Sequence, residues 1–117
     1  MKQEQKDLLL KDLCARLPYG VKISVDDKVE TVQGINILDT VVEYDSWLSS
    51  DIEEVRPYLF PLSSMTEEQL LELSSISFEN SIDSSIKTLN WCYKNHLDIN
   101  NLIPMGLAND CTNLNIY

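Results

Sequence analysis

The first part of the chain changes from a helical to a strand-like hydrophobic pattern at a proline and a glycine. In residues 3–17, leucines recur at helical spacing, and charged residues, among them Asp12, take the predicted solvent side. Pro18 and Gly20 are typical helix-ending residues. The pattern therefore predicts an amphipathic helix that ends before Pro18.

Three strand-like segments follow this helix, and in the first of them Val21, Ile23 and Val25 alternate with polar residues. Residues 21–25 and 29–33 flank the sequence DDK, which favours a tight turn, and Gly34 can break or bulge the second segment. Residues 35–44 predict a third strand. Three antiparallel strands on a helix are enough to bury one face of a sheet.

The stretch RPYLFPLSS, at residues 56–64, places two prolines among aromatic and aliphatic side chains. Pro57 and Pro61 exclude a helix interior and bias the residues before them toward extended backbone. Proline also removes a donor from a strand pair. We therefore predict a stiff connector or an edge strand here, and not a central strand.

The second half of the chain predicts two helices. Thr66 and Gln69 have the spacing of a capping box, which places a helix start at Thr66. The other helix is predicted over residues 83–95. The apolar side chains that we expect to face the core are Leu70, Leu71, Leu73 and Ile76 in the first helix, and Ile82, Ile86, Leu89 and Tyr93 in the second.

Together these elements predict one α+β domain over residues 1–117. It would consist of an N-terminal helix, a small antiparallel three-stranded meander, two C-terminal helices and an ordered, irregular tail. The 117 residues, of which 44% are hydrophobic, suffice for one core. The sequence shows neither a membrane-spanning apolar run nor the apolar segment of a signal peptide, so we expect a cytoplasmic protein with no membrane contact.

The net charge of −10 comes from one segment of the chain. Residues 39–83 contain eleven acidic residues and a single basic residue, Arg56, whereas the charges outside this segment cancel. An acidic surface disfavours direct binding to a nucleic-acid backbone and favours a partner with a basic surface. A solvated face that only keeps the protein soluble is the alternative interpretation.

Candidate catalytic residues are few. His96 is the only histidine and follows Cys92 by four residues, so on a continuous helix the two side chains share a face. They could form a thiolate–imidazole pair, or half of a zinc site to which Asp98 or Cys111 is added. No second pair of ligands and no glycine-rich phosphate loop accompanies them, so we predict no metal and no cofactor. The simpler interpretation is a core cysteine and a histidine at a helix end.

Two groups of residues are candidates for binding. Trp47 lies in the aperiodic, acid-flanked loop YDSWLSSD, and loops carry binding residues more often than cores do. The predicted partner-binding residues are Asp45, Trp47, Asp51, Glu53 and Glu54. The alternative is a ligand site composed of Arg56, Tyr58 and Trp91.

Two longer motifs resemble a group of small proteins that is common in the genomes, prophages and phages of gut anaerobes. RPYLFPLSSMTEEQ (56–69) resembles the group's pattern K/R-P-Y-L-x-P-x-S-S-M-T-x-E-E. NWCYKNHLDINNLIPMGLA (90–108) resembles the tryptophan-containing helix and the pattern N-H-x-D-x-x-x-L-I…G-L-A that follow in the group. LPYGVKISV (17–25) is similar to the group's N-terminal segment. Where the group often has aromatic and basic residues, this chain has Ile99, Asn100 and Asn101. The resemblance implies a shared fold and a mobile-element setting, and no particular reaction.

These observations favour a non-enzymatic binding protein. It would be an accessory product of a phage or prophage that binds a host protein, for instance a defence component, through its acidic surface. Two alternatives stay open. One is a protein, monomeric or homo-oligomeric, that sequesters a small nucleotide-like ligand, and the other is an enzyme that uses Cys92, His96 and Asp98.

Overall fold

The computed structural model of the chain describes residues 1–44, 48–77 and 81–117. The helices of these ranges are α1 (Gln3–Arg16), α2 (Glu67–Ile76) and α3 (Ile82–Lys94). The strands are β1 (Lys22–Val25), β2 (Lys28–Asn36), β3 (Val41–Tyr44), β4 (Ser49–Asp51), β5 (Arg56–Leu59) and β6 (Asn109–Asp110). Short 3-10 turns occupy Leu17–Tyr19, Ile52–Glu54 and Leu62–Ser64. Within the described ranges, no helix has the length and apolar character needed to cross a membrane.

The strands form one sheet in the order β4-β3-β2-β1-β5-β6, in which only β5 and β6 are parallel. The α+β class is confirmed, but the predicted three-stranded meander is wrong, because the described residues contribute six strands. β4 and β6 have the sequences SSD and ND, which contain no apolar position. Such short strands show no alternation, so only their pairing partners define them.

The predicted third strand over residues 35–44 is a hairpin. β2 continues through a bulge between Val32 and Gly34 as far as Asn36, which confirms the bulge predicted at Gly34. In the turn that follows, Asn36 Nδ2 donates a hydrogen bond to Asp39 Oδ2 at 3.1 Å. Asparagine and aspartate favour turns because their side chains bond to nearby groups, and this bond stabilises the reversal into β3.

β5 is an internal strand although it contains Pro57, so the prediction of a connector or an edge strand is wrong. β1 pairs with β5 at Arg56 and Pro57, whereas β6 pairs with it at Tyr58 and Leu59. Each residue of β5 therefore has a strand partner on one side only. Pro57 pairs with β1 only, so no pairing with β6 is lost at this residue. This explains how a proline is accommodated in a strand that lies between two others.

The connection from β4 to β5 requires the sheet to curl. The two strands are four places apart in the sheet order, which corresponds to about 19 Å in a flat sheet. The connection is the 3-10 turn Ile52–Glu54, which advances only about 2 Å per residue and cannot span that distance. Ile52 and Val55 have no exposed surface and join the core.

Two apolar clusters form the core. The larger one joins α1, the sheet and the tail through Leu9, Leu13, Val21, Ile23, Val25, Val32, Val42, Tyr44, Ile52, Val55, Leu59, Leu102, Leu107 and Ala108. The smaller one contains Trp91, Cys92 and Leu97, against which Leu73 and Ile76 of α2 pack. Leu102 and Leu107 of the irregular tail belong to the larger cluster, so this part of the tail packs on the body of the protein, whereas Met105 is exposed.

The start of α2 follows its sequence signal. Gln69 N donates to Thr66 Oγ1 at 3.2 Å, and Thr66 N donates to Gln69 Oε1 at 3.0 Å. This reciprocal pair is the predicted capping box. The prediction that Leu70 and Leu71 face the core is wrong, because both side chains are exposed.

The face of α3 that packs against the body of the protein is not the face that its apolar stripe predicts. Ser84, Trp91 and Cys92 are buried, whereas Ile82, Ile86 and Leu89 are exposed. The hydroxyl of Ser84 donates to the carbonyl of Ile76 at the end of α2 at 3.0 Å. A small polar residue at this position lets the two helices approach each other, and the apolar stripe is left on the opposite side.

Candidate functional site

A short acidic segment leads from β4 to β5. Asp51, Glu53 and Glu54 are exposed, whereas the interleaved Ile52 and Val55 have no exposed surface. The Asp51 side chain accepts a hydrogen bond from Glu53 N at 3.0 Å and caps the 3-10 turn. Two buried anchors and one cap therefore hold three carboxylates outside the core in a defined backbone conformation.

The Glu53 carboxylate forms an ion pair with a lysine of α1. Lys6 Nζ lies 2.8 Å from Glu53 Oε1. The hydrogen bond and the charge of Glu53 raise the pKa of Lys6, and the charge of Asp51 adds to the shift. No ion pair of the described residues includes Asp51 or Glu54. The segment therefore keeps most of its negative charge available to a partner.

An exposed leucine precedes this segment. Leu48 leaves 59% of its surface exposed, and its carbonyl accepts a hydrogen bond from Tyr44 N at 3.1 Å. Its only signal in the sequence is an apolar residue next to Trp47 in an otherwise polar loop, and Leu48 is absent from the predicted site. Two residues of the predicted partner-binding site, Asp45 and Trp47, lie outside the described residues. We refer to Leu48, Asp51, Glu53 and Glu54 as the acidic β4 surface.

The acidic segment of the sequence contributes to a second element as well. Glu67, Glu68 and Glu72 are exposed on α2. The first two lie in the first helical turn, where the helix dipole favours negative charge. A local structural role accounts for Glu67 and Glu68, and the acidic block is divided between α2 and the β4 surface.

The three residues of the predicted ligand site do not share a cleft. Arg56 lines an open cleft of about 320 Å³ beside Gln5 and Glu53. Tyr58 and Trp91 are not among its lining residues. Trp91 is buried in the smaller core cluster. The described clefts therefore give no pocket in which these three side chains could hold one small molecule.

Cys92, His96 and Asp98 each serve the fold. Burial raises the pKa of the Cys92 thiol, which disfavours the thiolate that a nucleophile needs. The His96 ring stacks on the ring of Tyr117 with centroids 3.6 Å apart. The Asp98 carboxylate accepts hydrogen bonds from two backbone N–H groups at 2.8 and 2.9 Å. No three His, Cys, Asp or Glu side chains of the described residues are placed to hold a metal ion.

A buried ion pair joins α1 to the loop after α3. Arg16 Nε donates to Asp12 Oδ1 at 2.6 Å, and neither side chain has exposed surface. Arg16 Nη2 donates to the carbonyl of Leu97 at 2.6 Å, and Asn100 Nδ2 donates to Asp12 Oδ2 at 2.8 Å. The prediction that Asp12 faces solvent is wrong because this loop covers the end of α1. The available signal was the four-residue spacing of Asp12 and Arg16 among leucines.

No family model, no curated protein and no solved structure matches this chain. The resemblance to phage-encoded proteins therefore stays a prediction. Of the two binding sites predicted from the sequence, the described part of the acidic β4 surface combines exposed charge, an exposed apolar side chain and a capped backbone turn.

The histidine beside the buried ion pair makes stability depend on pH. Burial, and then the positive charges of Arg16 and Lys22, lower the pKa of His96 from 6.5 to about 4. The unfolded chain therefore binds more protons than the folded chain between these values, and stability falls as the pH falls from about 6.5 to about 4. We expect His96→Asn to weaken this dependence.

Urea denaturation of both proteins over this pH range measures the effect. Asparagine tolerates the positive φ of 58° at this position, so the substitution leaves the backbone unstrained. The carboxylates titrate in both proteins, and only the difference between the two pH profiles reports on His96. Equal slopes would contradict the prediction.

Proposed function

We propose that this protein is a non-enzymatic binding protein that contacts a basic surface of another protein through the acidic β4 surface. The observation that supports this function is that Leu48 is exposed and comes directly before β4. Asp51 ends that strand, and Glu53 and Glu54 follow it. Protein interfaces combine apolar contact with a polar, charged rim. An exposed leucine that precedes three exposed carboxylates by three to six residues fits this composition.

The charge of the protein favours the same class of partner. A net charge of −10 repels nucleic-acid phosphates and attracts basic protein surfaces over about one Debye length. Complementary charge increases the association rate and selects against acidic partners. The contact with Leu48 would slow dissociation, because apolar surface is removed from water there.

The proposed partner is a protein of a bacterial host, for instance a defence component. The resemblance of RPYLFPLSSMTEEQ and NHLDINNLIPMGLA to phage and prophage proteins supports this setting. Such an accessory protein needs no catalytic group, since it can act by occupying its target. The structural use of Cys92 and Asp98 is compatible with that mode of action.

A charge-reversal experiment tests this surface. The Glu53→Lys/Glu54→Lys variant is compared with the Glu68→Lys/Glu72→Lys variant, which changes the net charge equally but on α2. We expect the first variant to capture at least tenfold less of the partner from a host lysate, and the second to capture nearly the wild-type amount. Quantitative mass spectrometry of the captured proteins gives the ratio.

Two results would contradict the proposal. Equal capture by both variants would show that the acidic β4 surface makes no contact, and equal loss would show that only total charge matters. Thermal unfolding of both variants checks that they fold. The single substitution Leu48→Ser in the wild-type chain is expected to weaken capture of the partner without changing the net charge.

A further inference from the structure

The two faces of α3 differ from those of an ordinary surface helix. The face toward the body of the protein contains Ser84 and Trp91, whereas the opposite face exposes large aliphatic side chains. The exposed fractions are 83% for Ile82, 52% for Ile86 and 49% for Leu89. Surface helices normally carry polar residues on their outer face. An apolar outer face of this kind marks an interaction surface.

The spacing of this stripe indicates which kind of structural element could pack on it. Ile82, Ile86, Leu89 and Tyr93 follow one another at intervals of four, three and four residues. This is the spacing of the positions along which two helices pack in a coiled coil. The four residues extend over about 18 Å of helix. A second helix is therefore the element that fits the stripe.

The charges of α3 make the helix complementary to itself in the antiparallel orientation. Asp83, which lies 3.0 Å from Lys87 Nζ in an exposed ion pair, is in its first turn, and Lys94 is in its last turn. When two copies of α3 pack antiparallel about the middle of the stripe, Asp83 of each copy approaches the end of the other copy that carries Lys94. The helix dipoles are then also opposed, which is favourable. In a parallel pair, like charges would lie side by side.

We propose that α3 forms a symmetric antiparallel dimer with α3 of a second copy of this chain. In this arrangement Ile86 of each copy packs near Leu89 of the other. Ile82 lies over the end of the stripe at Tyr93, whose ring already packs within its own chain, 5.0 Å from the Arg16 guanidinium. A two-fold axis places the same surface on both copies, as in most homodimers. Because the contact is short and each copy carries a net charge of −10, we expect a dissociation constant in the micromolar range.

Sedimentation equilibrium of the full chain, from about 1 μM to about 1 mM, tests this pairing. We expect Ile86→Lys to raise the dissociation constant more than tenfold, because it places two charges in the apolar contact. The matched control is Leu38→Lys, which changes a 95% exposed aliphatic residue in the turn after β2. The control is expected to dimerise like the wild-type chain. Circular dichroism confirms that both variants fold.

A charge exchange tests the orientation. Asp83→Lys and Lys94→Glu each place two like-charged pairs in an antiparallel dimer and are expected to weaken it about fivefold. An equimolar mixture of the two variants restores opposite charges at both ends of the heterodimer. We therefore expect the mixture to associate about as tightly as the wild-type chain.

A wild-type chain that stays monomeric at about 1 mM would overturn the proposal, as would a mixture that associates no better than the separate variants. If the wild-type chain is monomeric and Ile86→Lys abolishes capture of a host protein, the stripe binds that protein instead, and self-pairing is wrong. The acidic β4 surface is unchanged in all these variants, so the proposed function can fail or hold independently.

Discussion

Replacement of Asp12 by alanine is expected to lower the free energy of unfolding by about 3–5 kcal/mol. The substitution leaves the Arg16 guanidinium buried without its carboxylate partner, and it also removes the nearer of the two acceptors of Asn100 Nδ2. An uncompensated buried charge is much more costly than a lost surface ion pair, because it cannot recover hydration without opening the fold. Urea denaturation followed by tryptophan fluorescence measures the change.

Two further variants make this expectation specific. Lys87→Ala removes the exposed ion pair with Asp83 at the same four-residue spacing, and should change stability by less than about 0.5 kcal/mol. The double variant Asp12→Leu/Arg16→Met replaces both charges by apolar groups and should recover most of the loss. A single Asp12→Ala variant as stable as Lys87→Ala would contradict the importance of the buried pair.

Replacement of Asp98 by alanine is expected to lower the free energy of unfolding by about 2–3 kcal/mol. The buried carboxylate accepts hydrogen bonds from the backbone N–H groups of Leu102 and Ile103, at 2.8 and 2.9 Å. These bonds hold the turn that brings Leu102 into the larger core cluster. Alanine would leave both donors without this acceptor in a part of the chain that is mostly shielded from water.

The control for this variant is Asp110→Ala. The Asp110 side chain accepts a hydrogen bond from the backbone N–H of Thr112. Unlike Asp98, Asp110 is exposed. Water can replace this bond, so we expect a loss below about 1 kcal/mol. Chemical denaturation of the two variants in parallel gives the comparison. Losses of equal size would show that burial does not determine the contribution of the carboxylate.

The elements that could be predicted from sequence depend on residues close together in the chain. Thr66 and Gln69 define the start of α2 within one helical turn, and the bulge at Gly34 reflects the conformational freedom of one residue. The first strand of the hairpin alternates in burial, and its register with β2 is continuous from the turn at residues 26–27. Local patterns specify these features because the interactions that form them are themselves local.

The remaining strands could not be predicted because their partners are distant in the sequence. β6 exists because Asn109 and Asp110 lie beside Tyr58 and Leu59, about fifty residues earlier. β4 contains only serine and aspartate, and its pairing with β3 defines it. Neither strand has a pattern of its own, so a reading of local periodicity places both in loops.

For the candidate site, the sequence located the carboxylates but not their support. Asp51, Glu53 and Glu54 are predicted and exposed, whereas the fully buried Ile52 that anchors them and the exposed Leu48 are evident only in the folded chain. The ion pair of Lys6 with Glu53 joins residues that are far apart in sequence. Charge is a property of composition, but its presentation depends on which neighbouring side chains reach the core.

The sequence alone determined the α+β class, the concentration of acidic residues between positions 39 and 83, and the amphipathic character of the last helix. Only the tertiary structure decided which face of that helix is buried. A periodic apolar stripe shows that a helix has two faces, but the buried face is the one that finds a complementary surface. Here Ser84 bonds to the end of α2 and Trp91 fills the smaller core, so the aliphatic stripe is left outside.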